Sequence, residues 1–342
     1  MAVDLSKLVS KRKIEFGELQ GRVIAIDAYN VLYQFLSIIR QADGTPLMDS
    51  QGNVTSHLSG IFYRTIELVQ KGIHPVYVFD GLPSVLKQKT IQARMRRREE
   101  AREAWMKAKE EGRLEEARMR AQGATRLTKD IVESGKDLVR LMGIPVINAP
   151  SEGEAQASYM AMKGLAFAVG SQDYDTMLFG APDVIRNLTL SGRRKLPRKN
   201  VYINIEPEIM SLQDTLASLG ISRKQLIWIG ILLGTDFNEG IDGVGPKTAL
   251  KIVKECRDLD QVVSHVKEKY GKEFELDVHE VEELFLNPEV GDVDPKALEA
   301  RVPDTASIIE FMCDRHDFLR ERIEKYSHLL AGKSAETKQR RL

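Results

Sequence analysis

The 342-residue chain is 42% hydrophobic and 29% charged, a globular composition that excludes a mostly disordered chain and predicts one large domain or two ordinary ones. The longest apolar run, residues 226–233, is far short of the ~20 residues that cross a bilayer, and the N-terminus carries Asp4 and no apolar signal core. Cys256 and Cys313 lie outside any CxxC pair, which argues against a disulfide scaffold or a cysteine zinc site and for a reducing intracellular compartment. The 50 basic and 50 acidic residues cancel, but they are segregated. Residues 87–129 hold 14 Lys+Arg against 7 Glu, residues 186–199 six basic residues and no acid, and residues 273–294 nine acids and no Lys or Arg. A basic face for a polyanion therefore survives on a neutral molecule. The Glu-rich stretch 99–118 reads as a solvated helix with i,i+4 pairs.

In chain order, residues 23–27 form an apolar run ending in Asp27, a buried strand. Residues 57–70 have helical periodicity and stop at Gly72. Residues 75–80 repeat the strand pattern and end in Asp80. Residues 84–123 predict a long charged helix broken near Gly112, and residues 129–142 an amphipathic helix. A third strand (144–148), a helix (151–163) and a fourth strand (165–170) follow, then Asp173-Tyr-Asp175 and two short strands at 184–186 and 201–204. From residue 206 on, the pattern is helical, and the polar end is expected to be disordered. Strands alternating with helices predict an α/β fold with a mostly parallel sheet, completed by a helical C-terminal third.

In open parallel sheets, sites form at the C-terminal ends of strands. Asp27 and Asp80 end the first two strands, Glu152 and Glu154 follow the third, Asp173 and Asp175 follow the fourth, and Asp236 closes the apolar helix 225–234. Each acid alone has an ordinary structural reading: an Asp after a strand starts a turn, and Ser151 to Glu154 fits a capping box. Together they are harder to dismiss. Two carboxylates roughly 6 Å apart repel by about 3 kcal/mol at an effective dielectric near 20, so a cluster of seven calls for bound cations. Hard oxygen donors without His or Cys select Mg²⁺ or Mn²⁺ over Zn²⁺, and carboxylates around two such ions are the usual apparatus of phosphodiester hydrolysis.

Lys87, Arg94 and Arg98, spaced by 7 and 4, would share one helix face beginning close to Asp80. Such a row can hold a phosphate beside metals or can be a solvated basic surface. The hairpin Gly240-Ile-Asp-Gly243-Val-Gly245-Pro-Lys247 is neither a Walker loop nor a dinucleotide fingerprint. It reads as a tight turn between helices whose N–H groups can grip a phosphate, or as a plain helix–helix turn.

These motifs together resemble the flap structure-specific endonucleases, archaeal type, within the 5′ nuclease family that also holds Exonuclease 1 and related repair nucleases. The segments are Asp27-Ala-Tyr-Asn, Thr55-Ser-His-Leu, Tyr77-Val-Phe-Asp80-Gly, Ala149-Pro-Ser-Glu152-Gly-Glu154, Ser171-Gln-Asp173-Tyr-Asp175 and Leu233-Gly-Thr-Asp236, followed by Gly243-Val-Gly245-Pro-Lys-Thr-Ala. The resemblance runs to about residue 330. It implies a PIN-like, Rossmann-like sheet flanked by helices, with a helical arch insertion and a helix-two-turn-helix region. The implied division is a nuclease half at 1–82, the arch at 83–130, a second nuclease half at 131–222, helical hairpin and C-terminal region at 223–330, and a disordered tail at 331–342.

It further implies that Asp27, Asp80, Glu152, Glu154, Asp173, Asp175 and Asp236 hold two Mg²⁺ ions, with Mn²⁺ as substitute, and that Lys87 and Arg94 contact the scissile phosphate. Tyr33 would stack a base. Arg40, Arg98, Gly243, Gly245 and Lys247 would bind DNA, with K⁺ at the hairpin. The family begins Met-Gly with its N-terminus near the active site, where this chain has Ala2. Gln339 and Leu342 match part of a sliding-clamp (PCNA) motif whose aromatic pair is missing. The implied protein is a monomer of the archaeal cytoplasm acting on 5′-flap, nicked or gapped DNA in Okazaki fragment maturation and repair, with 5′-3′ exonuclease activity. Two rivals remain. One is a non-catalytic DNA-junction scaffold of the same fold, opposed by the complete acid set. The other is a smaller RNA-cutting PIN-like nuclease, opposed by the long basic arch.

Overall fold

The computed structural model describes residues 3–189, 192–195 and 202–339. Its strands are β1 (Lys11–Lys13), β2 (Val23–Asp27), β3 (His74–Phe79), β4 (Val146–Asn148), β5 (Ala168–Gly170), β6 (Asp183–Arg186), β7 (Gly192–Lys195), β8 (Tyr202–Ile205) and β9 (Glu208–Ser211). The helices through the middle of the chain are α1 (Ala28–Ile38), α2 (Ser56–Gln70), α3 (Gln88–Glu110), α4 (Leu114–Gly123), α5 (Lys129–Leu141), α6 (Gly153–Met162) and α7 (Asp175–Leu178). Then come α8 (Leu212–Leu219), α9 (Arg223–Leu233), α10 (Pro246–Glu255), α11 (Leu259–Tyr270), α12 (Val278–Leu286), α13 (Thr305–Ile309) and α14 (Arg320–Gln339). Two compact units interleave along the chain. The first comprises Met1–Glu18, Asp80–Ile91 and Asn148–Asp292; the second comprises Leu19–Phe79, Gln92–Ile147 and Val293–Leu342.

In the first unit the strand order is β1-β9-β6-β5. β5 and β6 run parallel, with Val169 opposite Val184, while β9 is antiparallel to both β6 and β1. The helical reading of residues 206 onward is thus corrected at 208–211, which form a strand, and β1 adds an edge that was not foreseen. β7 and β8 make a separate antiparallel ribbon, Gly192 facing Ile205. α9 is apolar nearly all round, with residues 226–232 buried, and it starts at a full capping box between Ser222 and Gln225. That pattern belongs to a core helix.

In the second unit β2, β3 and β4 lie in that order, β2 and β3 parallel with Ala25 opposite Val76. Ile24, Ala25, Ile26, Val76, Tyr77 and Val78 are buried, as expected of strands covered on both faces. The Tyr77 hydroxyl meets its need for a partner 2.8 Å from Thr65 Oγ1. α2 packs against α1, α5 and α14. The long basic helix breaks where expected: Gly112 has φ +71°, a conformation that is cheap only without a Cβ. Near its C-terminal end α3 is tied to the loop after α1: Trp105 Nε1 donates to Asp43 O at 3.0 Å and Lys109 Nζ lies 2.8 Å from Asp43 Oδ2.

Of the tail expected to be disordered from residue 331, residues 340–342 lie outside the described residues, and the part before them is helical. α14 continues to Gln339, because this polar stretch is rich in helix formers and a single Gly332 costs only about 1 kcal/mol. Among the described residues no single helix is long and apolar enough to cross a membrane.

Candidate active site

The first unit holds six of the seven acids, and four of them, Asp80, Glu152, Asp175 and Asp236, interact with Lys87. Asp80 lies one residue past β3, and its Oδ1 accepts from Gly153 N at 2.9 Å, at the start of α6. Glu152 is the N-cap residue of α6 but makes no side-chain cap bond. Its Oε2 takes the Lys87 ammonium, while its Oε1 is buried without a partner. Asp236 Oδ2 lies 3.6 Å from the same Nζ. Burial by itself would lower the Lys87 pKa, but the attraction of Glu152, Asp236 and Asp80 outweighs it and raises the value.

Asp175 opens α7 and is buried. Desolvation first, then the negative charges of Asp236 and Asp173, push its carboxyl well above the usual carboxylate range. Val3 N donates to Asp175 Oδ1 at 3.1 Å, so the N-terminal segment does reach the acid cluster. Glu154 sits in the first turn of α6. Among the described residues no three acids converge to metal-ligand distances. Lys87 rather than a further carboxylate stands between Glu152 and Asp236.

The sequence placed Lys87 in one helical row with Arg94 and Arg98. Lys87 instead ends a 3₁₀ turn, Val85–Lys87, ahead of α3, and its chain turns into the carboxylates. The expected cap at Ser151 is also displaced, and α6 starts at Gly153. Tertiary pairing explains the shift: Gly81 N donates to Ser151 O at 2.7 Å and Leu82 N to Pro150 O at 3.1 Å, which fixes residues 150–151 in a bend ahead of the helix. A Cβ on Gly81 would lie 2.2 Å from Ala149 O, so this close approach requires glycine.

The remaining site residues divide by unit. Asp27 belongs to the second unit, where its carboxylate caps α1 by accepting from Asn30 N at 3.0 Å. Tyr33 and Arg98 meet there. Arg98 Nη2 donates to the Tyr33 hydroxyl at 2.6 Å, and the guanidinium lies 5.1 Å from the ring centre, a cation–π arrangement. Arg94 lies on α3 in the same unit. Arg40 is engaged internally: Nη1 donates to Gly44 O at 2.7 Å, Nη2 to Thr125 Oγ1 at 2.8 Å, and Nε is buried without a partner.

In the first unit, the hairpin after α9 has Gly243 at φ +85°, Gly245 as N-cap of α10, Pro246 at its first position and Lys247 in its first turn. Sequence reasoning missed Asn238, the residue that ties this loop together. Its buried amide donates to Ile231 O at 2.7 Å and to Glu239 O at 2.9 Å, and its Oδ1 accepts from Thr235 Oγ1. An Asn two residues past Asp236, between the apolar helix and the Gly hairpin, was the available signal. Gln339 ends α14, and Leu342 lies outside the described residues.

Comparison with known proteins shows the family and the fold. The XPG N-terminal domain matches residues 1–101 and the XPG I-region residues 143–236. Flap endonuclease 1 of Thermococcus onnurineus is 53% identical over 325 residues, covering 95% of this chain and 93% of that protein. The chain belongs to the flap endonuclease 1 family. Among solved structures, flap endonuclease-1 from Methanococcus jannaschii is 38% identical with a TM-score of 0.76, covering 98% of this chain and 99% of that one. The catalytic core of Rad2 in complex with DNA substrate is 25% identical with a TM-score of 0.70, covering 96% and 100%. This flap endonuclease is therefore a structure-specific nuclease with an α/β, PIN-like fold built on a mixed sheet, and it is divalent-metal-dependent as its family is.

Proposed function

We propose that this flap endonuclease cuts 5′-flap, nicked or gapped DNA near the junction by two-metal hydrolysis, leaving a 5′-phosphate, and acts in Okazaki fragment maturation and repair. The observation that carries the reading is the Lys87 cluster. Glu152 and Asp236 both contact one half-buried ammonium, while Asp175 is forced upward by burial and by the charges of Asp236 and Asp173. Carboxylates crowded this way favour cations.

The donors fit Mg²⁺, with Mn²⁺ as substitute. They are hard oxygens without His or Cys, and Glu152 Oε1 is a buried acceptor that needs a partner. Asp80, Glu152 and Glu154 would hold one ion and Asp173, Asp175 and Asp236 the other, with Asp27 at the edge of the first group. Bound ions would neutralise the phosphate and lower the pKa of water. Lys87 and Arg94 orient the scissile phosphate and offset charge developing on it. Tyr33 receives an unstacked base, and the arch, α3 and α4, encloses the 5′ strand.

Gly243, Gly245 and Lys247 grip one duplex strand through backbone N–H groups and a positive charge, with K⁺ at the hairpin. Arg98 and Arg40 support DNA contact from the second unit. Binding is then electrostatic and steeply salt-dependent, and the Rad2 core in complex with DNA substrate supports a DNA substrate for this chain. The same reading makes the protein a monomer of the archaeal cytoplasm, with Gln339 and Leu342 as a partial sliding-clamp contact.

The test is cleavage of a 5′-end-labelled double-flap DNA in Mg²⁺ and in EDTA, beside Asp175→Ala. One metal-dependent cut near the junction, lost in the variant while DNA binding survives, is expected. Tight binding without a cut in Mg²⁺ or Mn²⁺ would overturn the proposal in favour of a DNA-junction scaffold.

A further inference from the structure

A cavity of about 360 Å³ in the first unit has Glu152 in its lining and so shares that residue with the acid cluster. Its floor includes Phe179 and Ala155, and its sides include Leu284 and Pro288 from the end of α12 and beyond. Leu82 and Val85 stand at its rim, 80% and 77% exposed. Among the described residues they are the two most exposed large apolar side chains, and both line this one cavity.

The rim is held in place by the backbone. Gly81 and Leu82 are hydrogen-bonded to residues 150–151, and Ser84 Oγ accepts from Leu86 N at 3.3 Å to cap the turn that carries Lys87. The cavity is thus continuous, along one short segment, with the residue expected to hold the scissile phosphate. Its volume lies at the small end of the ~300–1,000 Å³ range of ligand pockets, which suits one nucleoside and not a longer stretch of strand. Its charged lining residues, Glu152 and Glu289, are both acidic. They repel a phosphate, and the Glu289 carboxylate can accept from the N–H groups of a base, while the apolar rim covers the flat ring faces.

We propose that this cavity binds the nucleobase across the scissile phosphate from the one stacked on Tyr33. The occupant is the base of a DNA strand, held sequence-independently between Leu82 and Val85. This subsite rests on the nuclease reading for its register, but its occupancy can be read without any cleavage.

The probe is double-flap DNA with 2-aminopurine at that position, titrated with the full chain in EDTA. Saturation should change the fluorescence with the wild type, and Leu82→Ala/Val85→Ala should lose the change while still binding the DNA. Both side chains are exposed, so the variant folds. In Mg²⁺ the variant should raise KM about tenfold, the scale of one stacked base, with the saturated cleavage rate within twofold. An abasic site at that position should raise the wild-type KM equally and add nothing in the variant, whereas an abasic site at the Tyr33 position should multiply with it. Equal fluorescence changes in wild type and variant, or abasic and variant effects that multiply at the pocket position, would overturn the proposal. A lost fluorescence change with no cleavage by any form would instead overturn the nuclease reading and leave the pocket standing.

Discussion

Gly81→Ala tests how tightly the fold fixes the acid cluster. The new Cβ would sit 2.2 Å from Ala149 O, 2.3 Å from Pro150 O and 2.6 Å from Pro150 C. All three are backbone atoms, so no side chain can swing aside, and the strands of this crossing must part by roughly 1 Å to reach ordinary contact. Overpacking of this kind costs about 1–3 kcal/mol. Parting also stretches Gly81 N–Ser151 O at 2.7 Å and Leu82 N–Pro150 O at 3.1 Å, each worth about 0.5–1.5 kcal/mol. Asp80 precedes Gly81, and Glu152 follows Ser151. A displacement near 1 Å between these carboxylates should therefore slow chemistry by about 100-fold. The assay is single-turnover cleavage of a double flap in Mg²⁺, paired with urea denaturation. Gly17→Ala is the control, since nothing lies within 4 Å of its Cβ. A Gly81→Ala protein with wild-type cleavage and unchanged stability would refute the claim that this crossing sets the carboxylate spacing.

Acid should unfold the second unit in two stages. Burial, and secondarily the His316 charge, lowers the His57 pKa to about 3. The unfolded chain takes that proton near 6.5, so stability falls as pH drops from 6.5 toward 3, by about 2 kcal/mol at pH 5. Burial pulls Asp49 upward, but hydrogen bonds from His316, Asn53 and Gln51 bring it down to about 2. Its contribution is present above about pH 3.8 and is lost as pH falls toward 2. Urea midpoints against pH should show both stages, and His57→Gln should remove the first. Asp175→Asn should abolish cleavage yet raise the melting temperature in EDTA at pH 7. The raised Asp175 pKa means its folded-state charge destabilises increasingly above pH 3.8, so the gain should vanish at pH 3 in a calorimetric scan.

What the sequence made legible follows from how strongly local pattern expresses burial. β2 and β3 are continuous apolar runs ending in Asp27 and Asp80, and Gly112 marks the arch break, so these elements stand close to where the pattern put them. β1 is Lys-Arg-Lys, exposed throughout, and β9 has only four residues. Neither carries an alternation long enough to read: β1 is an exposed edge made a strand by pairing alone, and β9, paired on both sides with Ile209 and Met210 buried, shows only two core residues between polar ends. The Ser151 cap failed because its backbone was claimed by Gly81. Of the single basic face, Arg94 and Arg98 keep their four-residue spacing on α3, while Lys87 precedes the helix. The acids were found as types in sequence. Their dependence on Lys87 as a shared neighbour is a tertiary fact with no local signature.

The interleaving of the two units bears on how the protein is made. The first unit needs Asp80–Ile91 and then Asn148–Asp292, and the second is not complete until Val293–Leu342 has been added. At ~5–20 residues per second, on the order of 10 s of synthesis separates Asp80 from Asp236 on the ribosome. No N-terminal domain can fold ahead and begin to act. The carboxylates stay dispersed along a nascent chain, and the centre that would cut a nucleic acid beside the translating ribosome comes together only once nearly the whole polypeptide has emerged.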